Sequence, residues 1–397
     1  MAGVEALLAL HALAGELVDV ELLAPEHHFW YRPLAVAEPF AAGRVQRFEL
    51  AGIAASAGGR FTAGALASVD TRARIARTSM GAEIPYDVLV VTLGARPTPA
   101  FAGALTFRGP ADTERFRGLL DEVEAGRVER LVFVLPAGVA WALPLYELAL
   151  MTAAHAERLG IAGVATGLVT HEPAPLAIFG EAASDAAARA LDEQGVHLFT
   201  GRYPVAFTDG SLTVIPAGSI PADRVVALPR LVGNEIAGLP HDAGGFIPTD
   251  RQGLVLGADD VYAAGDCTSF PVKQGGIAAQ QADAVAEAIA ARAGVPIEPR
   301  PFRPVLRGLL LTGRGPAYLR AELDGGHGET SNAAPDALRW PPGKIVGKYL
   351  APFLAAYGDL DDVRRSGGRG ARRGDVELSE PNPQATPDRQ DVVRAPA

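Results

Sequence analysis

The run from Val261 to Arg292, VYAAGDCTSFPVKQGGIAAQQADAVAEAIAAR, gathers the residues of this chain best suited to chemistry. A short apolar strand (Val261, Tyr262, Ala263) leads into Gly265 and Asp266. Glycine lets the backbone turn tightly and approach a ligand, and the carboxylate offers two acceptor oxygens where the strand stops. Further on, Gly275 and Gly276 open a helix whose free N–H groups make a site for negative charge, with Lys273 just before it. Ile277, Ala278, Ala282, Val285 and Ile289 recur at helical spacing on one face, while Gln281, Asp283 and Glu287 are expected to point elsewhere. Cys267 is the only cysteine, which excludes an intramolecular disulfide, a redox-active cysteine pair and any zinc site built on several thiolates. A buried, inert small residue is its expected role. Lys273 and Cys267 are the candidates for direct catalysis, and the pattern fixes neither.

The run AAGDCTSFPVKQGGIAAQQAD resembles the second flavin motif of the two-dinucleotide-binding-domain flavoproteins, the FAD-dependent pyridine nucleotide-disulfide oxidoreductase superfamily. The resemblance implies that Asp266 accepts from the ribityl chain of FAD. It also implies that Gly275, Gly276 and Ile277 aim backbone dipoles at the pyrimidine edge, with Lys273 and Gln274 beside the ring. Such donors stabilise the negative charge of reduced flavin.

Composition is compatible with this. With 397 residues, 48% hydrophobic and 21% charged, the chain has enough apolar sequence for two or three globular domains. A net charge of −10 argues against nucleic acid, whose phosphates require a basic face. No apolar run approaches the roughly 18–20 residues of a membrane span. The N-terminal stretch carries Glu5 and His11 without a basic start, so it does not read as a secretory signal.

The elements that must position these residues follow in order. MAGVEALLALHALAG predicts a helix stopped by Gly15, then a strand over Val18 to Leu23. In the flavoproteins a strand and G-x-G-x-x-G precede that helix. Here Gly3 matches only the last glycine, and Glu5 the acid often found two positions on. The expectation is a truncated or miscalled start, roughly ten to fifteen residues short by the size of a strand and its turn. Glu26 is the nearest match for the adenosine ribose acid, and Arg32 and Pro33 match a loop running towards the flavin. His27 and His28 read as loop residues lacking partner ligands, so no metal is expected.

Short strand-like runs from Arg60 to Val91 resemble the family's β-meander, with Tyr86-Asp87 leading into Val88–Val91. The resemblance places Leu66 by the adenine, and Thr92 and Gly94 near the pyrophosphate. A second unit follows, with a strand over Arg130 to Pro136, a helix from Pro144, a strand over Gly163 to Pro173, a helix after Glu181 and a strand over Val196 to Gly201. Its loop PAGVAWALP keeps Gly138 alone and adds Trp141, so backbone cannot cradle an NAD(P)H pyrophosphate in the usual way. Glu172 could reach a ribose, although a loop acid is the plainer reading. Two strands are expected over Val305–Leu311 and Ala317–Glu322, joined through Gly313 to Pro316. In residues 340–357, Lys344 and Lys348 stand among apolar residues, with Trp340 and Tyr349 as possible interface anchors. Pro352 is expected to break this stretch, and core packing is preferred over membrane contact.

The fold expected is α/β: two Rossmann-like, three-layer dinucleotide-binding domains plus a small C-terminal α+β domain. The boundaries are 1–107 with 245–297 for a discontinuous FAD-binding domain, 108–244 for an NAD(P)-binding-like domain, 298–365 for the C-terminal domain and 366–397 for a disordered tail. Across residues 1 to 360 the chain resembles the type II NADH dehydrogenase and sulfide:quinone reductase-like branch without matching the defining catalytic residues of either. That implies an oxidoreductase passing electrons from NAD(P)H or another small reductant through flavin to a quinone-like or other acceptor. The location implied is cytoplasmic or peripheral at the inner membrane face, with a homodimer possible. A catalytically inactive flavoprotein-like binding module, or an apo fragment from a miscalled start, is the alternative.

Overall fold

The computed structural model describes residues 1–357 apart from 217, 325–326, 335–343 and 346. Trp340 and the expected tail at 366–397 lie outside these residues. Ala2–Ala14 is a helix ended at Gly15, whose φ of 51° suits glycine. Two parallel strand pairs follow from the apolar runs: Glu21–Ala24 with Arg60–Ala63, and Leu89–Val91 with Val261–Ala263. The first strand begins later than the alternation suggested, at Glu21 instead of Val18. Leu66–Asp70, Ile75–Thr78 and Glu83–Pro85 form the antiparallel meander.

The second unit is a five-stranded parallel sheet in the order Leu105–Thr106, Arg224–Ala227, Arg130–Val134, Ala165–Val169, Val196–Phe199. Its central strands are buried apolar runs, as a sheet covered on both faces requires. The Leu143–Arg158 helix takes Pro144 in its first turn, where no N–H is needed. Beyond the Gly275–Arg292 helix, Val305–Leu311, Pro316–Asp324 and His327–Ala334 form an antiparallel sheet. The third strand was not anticipated, because its sequence HGETSNAA is polar and has only one β-branched residue.

Gln281 and Glu287 are each only 7% exposed, so the Gly275–Arg292 helix is buried on its polar face as well. The polar atoms are satisfied internally: Glu287 is paired with Arg300, and Gln281 is bonded to the Gly265 turn. Pro352 does not break the C-terminal stretch. It lies in the first turn of the Leu350–Tyr357 helix, where its missing N–H costs nothing. Leu350 and Leu354 of that helix pack among Val4, Leu7, Phe29 and Tyr31, so its apolar face is turned inward. Among the described residues no helix is long and apolar enough to cross a membrane.

Candidate active site

A cavity of about 860 Å³ lies where the parallel strands end. Pro25 and Glu26 line it just past the Glu21–Ala24 strand, Thr92 and Gly94 past Leu89–Val91, and Asp266 past Val261–Ala263. Ala140 and Trp141, beyond Arg130–Val134, and Leu228 and Pro229, beyond Arg224–Ala227, line it from the second sheet. The carboxyl ends of parallel strands are where open α/β sheets bind ligands.

The Asp266 turn is held rigidly. Gly265 has φ 84°, and its N–H donates to Gln281 Oε1 at 2.7 Å. Thr268 Oγ1 donates to the Gly265 carbonyl at 2.9 Å and accepts from Gln281 Nε2 at 3.3 Å. Burial raises the Asp266 carboxyl above the usual carboxylate range, and Lys273 opposes that shift. Burial likewise pushes the Lys273 amine down to about 8, against the pull of Asp266. Lys273 Nζ lies 3.8 Å from the centroid of the Phe246 ring and donates to the Thr268 carbonyl. Gly3 faces Thr92 so closely that a Cβ would come within 2.7 Å of Thr92 Oγ1.

Of the residues expected to bind cofactor, Gly3, Glu26, Arg32, Pro33, Thr92, Gly94, Asp266, Lys273 and Gly275 line this one cavity, and Gln274 joins them. Four others do not. Leu66 packs instead with the core around Val69 and Val91, because it sits on a meander strand whose apolar residues turn inward. Gly265 shapes the turn from behind, with Ala2 and Ala278 against it. Gly276 lies under the Gln274 side chain. The Ile277 N–H is already donated to Gln274 Oε1 at 2.8 Å, so the side-chain cap uses the group a ligand would need. Cys267 is also outside the wall. It is 1% exposed, its Sγ donates to the Val91 carbonyl at 3.3 Å, and burial pushes the thiol up to about 11. A protonated, enclosed thiol is no nucleophile, so it drops out as a catalytic candidate.

Sequence reasoning missed a buried ion pair in the same cavity wall. Glu147, fully buried, meets Lys344 Nζ at 2.6 Å and accepts from Leu311 N at 3.0 Å. Burial disfavours both charges, raising Glu147 and lowering Lys344, and their attraction works against it. The available signal was an acid between Tyr146 and Leu148 on a helix otherwise apolar there. Beyond the Ala165–Val169 strand Glu172 is a loop acid, as expected, but a buried one. Its Oε2 accepts from Tyr146 Oη at 2.7 Å and from Thr170 Oγ1 at 2.9 Å. Trp141 packs 5.7 Å from Phe179, centroid to centroid.

With this geometry in hand, comparison with known sequences is decisive. Residues 1–290 match the pyridine nucleotide-disulphide oxidoreductase family. The chain belongs to that family. It is accordingly a flavin-dependent oxidoreductase. Solved structures share the fold. The sulfide:quinone oxidoreductase of the hyperthermophilic bacterium Aquifex aeolicus superposes with a TM-score of 0.74 at 17% identity, over 92% of this chain and 90% of that one. A ferredoxin reductase for the CYP199A2 system of Rhodopseudomonas palustris gives 0.61 at 20% identity, over 82% and 81%. NDH2 of Plasmodium falciparum, solved with NADH, gives 0.54 at 14%, over 66% and 62%.

Proposed function

We propose that this pyridine nucleotide-disulphide oxidoreductase holds FAD in the strand-end cavity and passes electrons from a small reductant to a quinone-like acceptor. The observation that carries the reading is the convergence of three parallel-strand ends, bearing Glu26, Thr92 with Gly94, and Asp266, on one cavity. The close Gly3–Thr92 approach supports it, as a cradle that a Cβ would fill. Asp266 would accept from the ribityl hydroxyls, Arg32 would meet phosphate charge, and Gly275 would present the helix N-terminus. Bound flavin supplies the acceptance and release of an electron pair. Lys273, protonated below about pH 8, holds a cation beside that site. The Glu147–Lys344 pair keeps an exchangeable proton at the cavity wall, while Phe107, Trp141 and Leu309 keep water away.

A small reductant is favoured over NAD(P)H, because Tyr146 and Thr170 occupy the Glu172 carboxylate that a ribose would need. The domain division at 107, 244 and 297 belongs to the same proposal. The parallel pairing of Leu89–Val91 with Val261–Ala263 supports joining 1–107 to 245–297. The test is the visible spectrum of purified protein, followed by anaerobic mixing with NADH. Flavin bands that NADH leaves unbleached are expected. Absence of flavin after incubation with excess FAD would sink the cofactor assignment, and bleaching by NADH alone would reverse the choice of donor.

A further inference from the structure

His28–Tyr31 and Gln46–Glu49 pair as a short antiparallel ribbon whose two faces have different surroundings. Phe29 and Tyr31 turn inward to the core beside Leu50 and Ile53. Phe29 stacks on its cross-strand partner Phe48, with ring centroids 6.3 Å apart. Strand alternation then sends Trp30 to the other face. There it meets its own cross-strand partner, Arg47, whose guanidinium carbon lies over the indole, 4.2 Å from the ring centroid. Trp30 lines the strand-end cavity and Arg47 does not, so the guanidinium covers the indole from outside the cavity. Core packing does not account for this side chain: Trp30 is half-buried, while its neighbours Phe29 and Tyr31 are buried. A large aromatic left partly open beside a cavity is a surface for a flat ring.

That surface supplies what the meander does not. Leu66, expected beside the adenine, packs in the core, so the adenine of an FAD in this cavity needs another partner. Glu26, the candidate acid for the adenosine ribose, lines the cavity shortly before Trp30 in the chain, and Arg32, the candidate for phosphate charge, shortly after. Resting on the reading of this cavity as a flavin site, we propose that Trp30, braced by Arg47, stacks on the adenine ring and makes the cavity select FAD over a flavin without adenine.

The chemistry favours that ring over the isoalloxazine. The groups suited to the ribityl chain and the flavin ring, Asp266, Lys273 and Gly275, come from a different stretch of the chain. Trp141 also lines the cavity, but it has Phe179 against it and follows a strand of the second sheet. Every base offers a π face, and stacking on an aromatic side chain needs no matched hydrogen bonds. Arg47 fixes the indole plane before a ligand arrives, so little side-chain freedom is lost on binding.

Calorimetric titration of the full chain, dialysed free of flavin, with FAD, with FMN and with ADP reads the stack directly. FAD is expected to bind about tenfold or more tightly than FMN, and ADP to bind on its own. Trp30→Leu keeps an apolar residue on the strand and should lose about tenfold or more in affinity for FAD and for ADP, with FMN unchanged. Trp30→Phe should recover most of that loss. Arg47→Gln leaves the core face of the ribbon untouched. It should cost FAD and ADP about two- to fivefold and FMN nothing, a second test that holds even where Trp30→Leu does not fold. Equal losses for FAD and FMN would overturn the proposal, because the indole would then touch the flavin half. Undiminished binding of FAD and ADP by Trp30→Leu would strike the platform alone and leave FAD in the cavity. Failure of the unmodified chain to bind any of the three would remove the flavin reading, and this inference with it.

Discussion

Asp266 and Glu172 each stand three residues past the end of a parallel strand, one after Ala263 and the other after Val169. Asp266 lines a cavity, with Lys273 nearby in the same wall and a rigid turn behind it. Glu172 is closed in by Tyr146 and Thr170, with Leu176 N donating to the same tyrosine oxygen at 3.4 Å. Both acids follow parallel strands, yet side chains close in the second where the first lines the cavity. The strand-end position brings an acid to a ligand site; the neighbouring helix decides whether anything can reach it. A tyrosine in the first turns of Leu143–Arg158 is enough to convert a binding position into core.

The sharpest way to break this contrast is to remove one member of the ion pair that borders both regions. Lys344→Ala leaves Glu147 buried and unpaired, and unfolding free energy should drop by about 3–5 kcal/mol in denaturant titrations. Asp266→Ala comes next. It should weaken flavin affinity about 10- to 100-fold, read by fluorescence titration, with little change in melting. Its counterpart Tyr146→Phe should do the reverse, costing about 1–3 kcal/mol of stability and leaving flavin affinity alone. If Tyr146→Phe also lost flavin, the two acids would not be independent.

A smaller effect separates the regions by pH. The folded chain lowers the Lys273 amine to about 8, so it releases its proton before the unfolded chain does. Stability attributable to this group is therefore lowest below about pH 8 and recovers by roughly pH 10.4, where the unfolded lysine also titrates. Lys273→Met should flatten that rise in melting curves taken across the interval. Smallest of all, Cys267 should resist iodoacetamide in the native chain at neutral pH and react once the chain is unfolded, as mass spectrometry would show.

The local part of the site was readable from the sequence because it is local. Gly265, Asp266 and the helix at Gly275 follow one another in the chain, and turn and helix-start rules fix them without knowledge of neighbours. What escaped depends on partners far along the chain. Glu147 finds Lys344 across 197 positions, and Glu5 finds Leu350 across 345. Gln281 and Glu287 were set off the apolar face, and their spacing could not tell that a turn and an arginine satisfy them inside. Ile277 was misjudged for a subtler reason. Free N–H groups at a helix start are available only if the preceding side chain does not use them, and Gln274 does.

The bond between Glu5 and the Leu350 amide also bears on how the protein is made. Ribosomes deliver the N-terminal half first, so Glu5 must wait for almost the whole chain before it is capped, and Ala2, Ala6 and Ala9 must wait for the Gly275–Arg292 helix that covers them. Closing so wide a loop comes late, after nearer contacts have formed. The nascent polypeptide thus carries one uncovered apolar face of that helix through most of its synthesis, the kind of exposed surface that invites aggregation.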